Sequence, residues 1–270
     1  MSHHSTICKN CGEDISSDKK FCNNCGQKTD THRINFHFLV HELQHSILHV
    51  DKGILFTIKE LFIRPGHTIR EYIEGKRKTH FPPVTLILIL GTITALINHY
   101  TSKSNLFEQI KVNLKPESVD KTDQKEVEIL KTIVENIKAF SEWVNEHFGY
   151  LMLMLIPIYA LSLFLGFYRK DASKRYNYAE YLVISTFLTA QSMIIYMLFL
   201  PFSHQSIVNN ISMLLMFGFN LWAVFQLFHQ NSKRSVIFRF FLSYSFLMFF
   251  TFLLIIAAFV IGIVMISKLH

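Results

Sequence analysis

The chain has 270 residues, half of them apolar, with 26 Phe and a formal charge of +7. That much apolar side chain exceeds what a soluble core of this length needs, and a bilayer accounts for the excess. The positive charge does not mark a nucleic-acid footprint, because residues 1–33 carry Lys9, Lys19, Lys20, Lys28 and Arg33 against Glu13, Asp14, Asp18 and Asp30, and binding to phosphates draws on cations that acids do not offset.

Residues 1–30 hold two knuckles, Cys8-Lys-Asn-Cys11-Gly12 and Cys22-Asn-Asn-Cys25-Gly26. Thiolates from Cys8, Cys11, Cys22 and Cys25 make a closed tetrahedral metal site, and the glycine after each pair lets the chain turn back so that backbone N–H groups reach sulfur. Ten residues separate Cys11 from Cys22, enough for a short hairpin that brings the pairs together. Four sulfurs leave no position for a reactive water, so the metal is expected to be structural. Iron fits the same ligands in rubredoxin-like knuckles, but with no redox partner motif in the chain zinc is the expected ion. A module this small has too little core to fold alone, and the metal supplies the stability. No cysteine is left over for a disulfide, and the polar N-terminus lies far ahead of any apolar run, so a reducing compartment and an N-terminus that is not exported are expected.

Residues 31–81 read as juxtamembrane amphipathic helices. Asn35 suits a helix N-cap, with Phe36, Leu39, Val40, Leu43, Ile47 and Val50 along one face. Asp51-Lys52-Gly53 reads as a turn, and a very apolar helix follows from Ile54 to Ile63, stopped by Arg64-Pro65-Gly66. A third helix is expected to start at Thr68, with Glu71 completing a capping box, and to end near Gly75. Basic, amphipathic pieces of this kind suit the cytoplasmic surface of a membrane with anionic lipid. Within the first of them, His41-Glu42-Leu43-Gln44-His45 matches the His-Glu-x-x-His pattern of zinc metalloproteases, in which both His hold zinc and the Glu activates water, and Glu60, Glu71 or Glu74 is a candidate third ligand. Against that chemistry, His37, His41, His45 and His49 form one ridge opposite Phe36, Leu43 and Ile47, which reads as a solvent-facing or headgroup-facing surface, or as a metal- or pH-sensing face, rather than a walled cleft.

Residues 82–270 read as a helical transmembrane domain of about five spans: Val84–Tyr100, Tyr150–Tyr168, Tyr181–Phe202, Ile211–Phe228 and Phe240–Ile266, each near the length of about 20 residues that a bilayer core requires. Pro82 and Pro83 fit the start of the first, and Pro157 predicts a kink in the second. Residues 101–149 form an extracytoplasmic loop whose Val127, Leu130, Val134, Ile137, Val144 and Phe148 predict an amphipathic helix. Arg64, Arg70, Lys76, Arg77 and Lys78 precede span one; Arg169, Lys170, Lys174 and Arg175 follow span two; Lys233, Arg234 and Arg239 precede span five. All three clusters fall on one side, while the long loop has seven Lys against nine acids. Basic loops stay inside, so the ribbon is expected in the cytosol and the C-terminus outside. None of the polar residues inside the spans is an acid or a strong base, which argues against ion-coupled transport; Gln191 and Asn220 are expected to bond across helices. No Gly-rich phosphate loop or serine-nucleophile motif is present.

The order Cys-x-Asn-Cys-Gly, Phe21-Cys-x-x-Cys-Gly-Gln27, Asp51-Lys-Gly, Arg64-Pro-Gly, Arg70-Glu-Tyr-Ile-Glu-Gly-Lys-Arg77 and Pro82-Pro83 ahead of the first span resembles the bacterial zinc-ribbon membrane proteins grouped as domain of unknown function 3667. The resemblance covers residues 8 to about 90. It implies this architecture in a bacterial inner membrane and lends no catalytic residue.

Together these readings give a mainly α fold: a polytopic helical membrane bundle with a small N-terminal zinc ribbon. The expected role is non-enzymatic, with the ribbon and surface helices docking a protein partner at the cytosolic face or reporting on membrane lipids. A channel or permease for a neutral or lipidic solute, lined by Gln191 and Asn220, is the alternative from another class, and a membrane metalloprotease using His41, Glu42 and His45 is the third. Charge-poor spans also permit a homo-oligomer.

Overall fold

The computed structural model describes residues 5–16, 18–40, 53–101, 148–168, 176–202 and 206–269. The His41–His45 motif, His49, the turn at Asp51 and Lys52, and the stripe from Val127 to Val144 lie outside the described residues.

At the N-terminus β1 (Ser5–Ile7) pairs antiparallel with β2 (Asp14–Ser16), Ile7 opposite Asp14. The linker runs to Asn35, whose Oδ1 accepts the Phe38 N–H at 2.8 Å and so caps the helical residues 36–40. Two short helices follow, α1 (Gly53–Ile63) and α2 (Pro65–Glu74). The sequence expectation that α2 starts at Thr68 is corrected here. Pro65 takes the first helical turn, where its missing N–H leaves nothing unsatisfied, so Thr68 lies inside the helix and its hydroxyl donates back to the Arg64 carbonyl at 3.0 Å. Glu71 therefore closes no capping box. At the other end Gly75 takes φ +111°, and the Lys76 N–H reaches the Glu71 carbonyl at 2.9 Å, a left-handed stop that a side chain resists.

The long helices are α3 (Pro83–Thr101), α4 (Phe148–Gly166), α5 (Tyr178–Phe199, continued by a 3-10 turn to Phe202), α6 (Ser206–Leu227) and α7 (Lys233–Leu269). Helix α4 continues through Pro157. Among the described residues three stretches are long and apolar enough to cross a membrane, Tyr178–Phe202, Ile207–Leu227 and Lys233–Ile256, while Pro83–Ile97 and Leu153–Gly166 are shorter apolar helices. Helix α7 starts seven residues before the expected Phe240, because Lys233 and Arg234 form its first turn, with the Ser235 N–H on Ser232 Oγ at 3.4 Å.

The helix ends show how the chain alternates. Phe167, just past α4, stacks on Phe228, just past α6, at 4.2 Å, and Arg239 near the start of α7 donates to the Tyr168 carbonyl at 3.1 Å. Arg33 from the ribbon linker meets Glu180 in the first turn of α5. These contacts gather the starts of α5 and α7 and the ends of α4 and α6 at the end of the bundle that carries the ribbon. Helix α5 is the centre, packed on α3, α4 and α6 as well as on α1 and α2, with Ile184, Phe187, Leu188 and Ala190 fully buried. Of its most apolar window 56% is buried, against 11% for α7, whose Phe241, Met248, Phe252 and Ile255 face outward.

Candidate metal centre and its seat on the helices

The two knuckles are copies of one unit displaced by fourteen residues. The Cys8 N–H donates to the Glu13 carbonyl and the Cys22 N–H to the Gln27 carbonyl, both at 2.8 Å; the Gly12 and Gly26 N–H groups return to Cys8 and Cys22, both at 2.9 Å. The pair Ile7–Asp14 in the strands recurs as the bridge Phe21–Lys28. Gly12 and Gly26 sit at φ +80° and +71°, which is why each knuckle ends on glycine. The expected hairpin between the knuckles is corrected accordingly: strand pairing closes each knuckle on itself, and β2 turns back to β1 instead of forward to the second pair.

This folding brings all four expected ligands together. The Sγ atoms of Cys8, Cys11, Cys22 and Cys25 lie within 4.8 Å of one another, with Cys8–Cys25 and Cys11–Cys22 both at 3.6 Å. Metal–thiolate bonds of about 2.3 Å in a tetrahedron put sulfurs about 3.8 Å apart, so the cage fits one metal ion. The electrostatics point the same way. The Glu13 N–H favours the Cys11 thiolate, but desolvation and the three neighbouring sulfurs push that thiol up to about 12. Burial raises Cys25, yet the Gln27 N–H and the Asn10 side chain outweigh it and bring it down to about 7. Sulfurs this close share negative charge only around a cation.

The cage is seated on the segment that leads into α3. Gln27, buried behind the second knuckle, accepts both the Arg77 N–H at 3.2 Å and the Lys78 N–H at 2.9 Å on its Oε1. Asn10 of the first knuckle accepts from Thr79 Oγ1 at 3.2 Å. Arg77 then crosses to the linker, donating to the His32 carbonyl at 3.0 Å with its guanidinium 4.3 Å from the Phe38 ring. A second anchor lies at α5. Arg33 grips the buried Glu180 through two bonds of 2.8 Å, and Glu180 and Asn177 form a reciprocal cap, Glu180 N–H to Asn177 Oδ1 at 2.9 Å and Asn177 N–H to Glu180 Oε2 at 2.6 Å. The sequence reading marks Gln27 only as the end of the second cysteine motif, without this role, and does not mark Glu180. The Asn-x-x-Glu spacing ahead of an apolar run was the signal available for the second.

Beside that anchor a cavity of about 410 Å³ is lined by Arg33, Arg70, Glu74, Tyr176, Glu180 and His229, with Phe167 and Phe228 as an aromatic wall. Two guanidinium groups and two carboxylates balance in formal charge. Arg70 also donates to the terminal carbonyls of α6, at Gln226 and at Leu227 (3.3 Å), and burial pushes the Tyr176 phenol above its ordinary value.

Two acids offered as third ligands of the His41–His45 motif are otherwise engaged. Glu60 and Glu71 both pair with Arg64, Glu71 at 3.0 Å and also with Lys76 at 3.1 Å. Glu74 faces the cavity. Of the ridge His37–His49 only His37 falls among the described residues, and it is exposed. The two amides expected to bond across helices do so. Asn220 donates to Ser192 Oγ at 3.1 Å and Tyr244 Oη at 3.3 Å, joining α6 to α5 and α7, and Gln191 donates to the Leu61 carbonyl of α1 at 2.7 Å.

Residues 51–95 match the family described as protein of unknown function (DUF3667). The matched segment takes in α1, α2 and the first part of α3, the stretch on which the ribbon sits; it begins after the cysteine knuckles. No curated protein and no solved structure matches the chain.

Proposed function

We propose, taking that family segment as the premise, that the chain is a non-enzymatic membrane protein whose structural zinc ribbon, held in the cytosol against the bundle, docks a protein partner or reports on the membrane. The observation that carries the reading is the four-sulfur cage, with cysteine at every coordination position and tied by Gln27 to the backbone of Arg77 and Lys78. A cage with all positions filled by sulfur has no open coordination site for substrate. The ion, zinc by preference for a tetrahedral thiolate set, supplies folding stability; the chain's own residues do the docking.

About five spans, with α3 and α4 crossing beside the three longer helices, and a cytosolic ribbon agree with the basic residues gathered at the ribbon end. Arg70, Lys76, Arg77, Lys78, Lys233 and Arg234 all lie there, and positive charge is retained on the cytoplasmic side. The resemblance of the N-terminal third favours a bacterial inner membrane as that membrane. The permease reading gains little from its two amides, whose NH2 groups bond across helices while Gln191 Oε1 and Asn220 Oδ1 are buried without a hydrogen-bond partner among the described residues.

Metal analysis of the purified protein tests this. One zinc per chain, absent from Cys22→Ser while the protein still inserts in membranes, is the expected result. A second zinc that disappears with His41→Ala would replace the docking reading with the metalloprotease one.

A further inference from the structure

Helices α1 and α2 do not lie flat on the end of the bundle. The start of α1 sits level with the ribbon-side approach to α3: Gly53 packs on the backbone of Thr79 and Phe81, and Thr57 Oγ1 accepts the Phe81 N–H at 2.6 Å. The far end lies among the long helices. The Leu61 carbonyl takes the Gln191 amide of α5, and the Phe62 ring meets Phe219 of α6 edge-on at 5.5 Å. Both partners belong to helices long and apolar enough to cross a membrane. Phe219 is eight residues from the ribbon-side end of α6 at Leu227, about 12 Å inward at 1.5 Å per residue, and Gly66 in the joint meets Ala223, Gln226 and Leu227, up to about 6 Å inward, so the Phe62 ring reaches deeper than the joint. Helix α2 then returns, and Gly75 comes back against Thr31 of the ribbon linker. Eleven residues make α1 about 16 Å long, close to half of a hydrocarbon core of about 30 Å.

The outward face of α1 has the composition that such a depth demands. Leu55 and Ile63 are 74% and 54% exposed, one turn on either side of Lys59. Side chains on a helix lean toward its N-terminus, so the Lys59 stem points back toward the ribbon side and its ammonium can reach headgroup level. The other charges near the turn are tied to one another, Glu60 and Glu71 to Arg64 and Glu71 to Lys76, as ionisable groups within a bilayer must be.

We propose that α1 and its joint with α2 form a re-entrant wedge that enters the ribbon-side leaflet, with Leu55 and Ile63 among the lipid acyl chains and Lys59 at the lipid phosphates. The wedge rests on the membrane-protein reading and adds to it a half-span that makes the family segment itself a lipid-contacting element. A surface helix would bury its apolar face evenly along its length, to about 5–10 Å at the headgroup/acyl boundary; a wedge puts Ile63 deeper than Leu55.

Tryptophan fluorescence in vesicles of phosphatidylcholine and phosphatidylglycerol with brominated acyl chains tests it. Trp143→Phe removes one of the two native tryptophans and leaves Trp222, half-exposed on α6, as the span reporter. Leu55→Trp and Ile63→Trp are then placed in a Trp143→Phe, Trp222→Phe background. Bromolipid is expected to quench Trp222 and both introduced residues about twofold, Ile63→Trp more than Leu55→Trp, and to leave Phe21→Trp on the ribbon unchanged. Quenching of Trp222 without quenching at positions 55 and 63 overturns the wedge alone, whether water or a second copy of the chain covers the face. Loss of quenching at Trp222 too overturns the membrane reading beneath it. If a tryptophan variant fails to fold, Leu55→Cys and Ile63→Cys in open membrane sheets answer the same question. The wedge requires both to resist a polar maleimide until detergent is added, and labelling at the rate of Phe21→Cys overturns it.

Discussion

The ribbon buries Cys8, Ile15 and Cys22 as its core, whereas the helices bury one continuous apolar cluster from Ile34 to Phe240. The first set is far too small to offset the entropy of ordering the knuckles, a deficit that a metal ion held in the cage would make good. The second needs no ion, because α5 is covered by neighbours on nearly every side. The seam between the two regions is polar: Gln27 on two backbone N–H groups, Asn10 on Thr79, Arg33 on Glu180. Hydrogen bonds of this sort contribute about 1 kcal/mol each, enough to orient the ribbon and too little to unfold the bundle when they break. A metal-dependent module is thus fastened to a metal-independent one by contacts that can be exchanged for others, an arrangement suited to a docking element.

Removing the metal is the largest perturbation this contrast predicts. A strong chelator, or Cys22→Ser, is expected to abolish the ribbon, because thiolate binding of zinc in modules of this size supplies on the order of 10 kcal/mol. Protease sites within residues 5–30 should become accessible while far-UV circular dichroism of the helices stays the same. Collapse of the helical signal along with the ribbon would break the distinction between the two regions. Next in size is Gly66→Ala. A Cβ at that position lies 2.4 Å from the Ala223 carbonyl and the Leu227 nitrogen, which are backbone and cannot swing aside. Helix α2 would have to lift off α6, a loss of about 1–3 kcal/mol for overpacking that thermal unfolding in detergent should register. The same substitution should leave zinc content untouched.

How far the sequence disclosed these regions follows the range of the interactions that build them. The cage was legible because its ligands and turns are local: each Cys-x-x-Cys-Gly unit specifies its own geometry. Hydropathy located α3 to α7, but charged ends misled it. Lys233 and Arg234 read as loop and prove to be the first turn of α7, since a helix runs on into the headgroup region with its cations outward. Pro65, read as a stop, is the start of α2. Gln27 carries no local mark of its role and Glu180 only that of a helix cap, because the partners that make them anchors lie 50 and 147 residues away. The proposed depth of α1 was hidden for the same reason: its apolar face suits a membrane surface or a membrane interior equally, and the distant contacts of Leu61 with Gln191 and of Phe62 with Phe219 distinguish them.

The smallest predicted effect is a pH dependence at the seam itself. His80 is buried between α1 and α2, with Phe56 and Tyr72 edge-on to its ring at 5.6 and 6.5 Å and Thr79 Oγ1 3.2 Å from Nδ1. Its Nε2 has no hydrogen-bond partner among the described residues and stands 3.9 Å from Glu71 Oε2. Burial lowers its pKa below the ordinary 6.5 and the Lys76 charge adds to the shift, while Glu71, the Lys76 backbone and Glu60 oppose it. A histidine held neutral in the fold stabilises it fully above that ordinary value, and the contribution is lost as pH falls and the unfolded chain takes up the proton more readily. The measurement belongs in the Cys22→Ser protein, where protonation of metal-bound thiolates plays no part. Between about pH 8 and about pH 5 the unfolding temperature should fall by a few degrees, and His80→Gln should flatten that slope. An unchanged slope in His80→Gln would overturn the assignment to His80, and the Glu60–Arg64–Glu71 ion pairs could not stand in for it, because the lowered pKa of Glu71 keeps their contribution intact until pH falls below the ordinary carboxylate range.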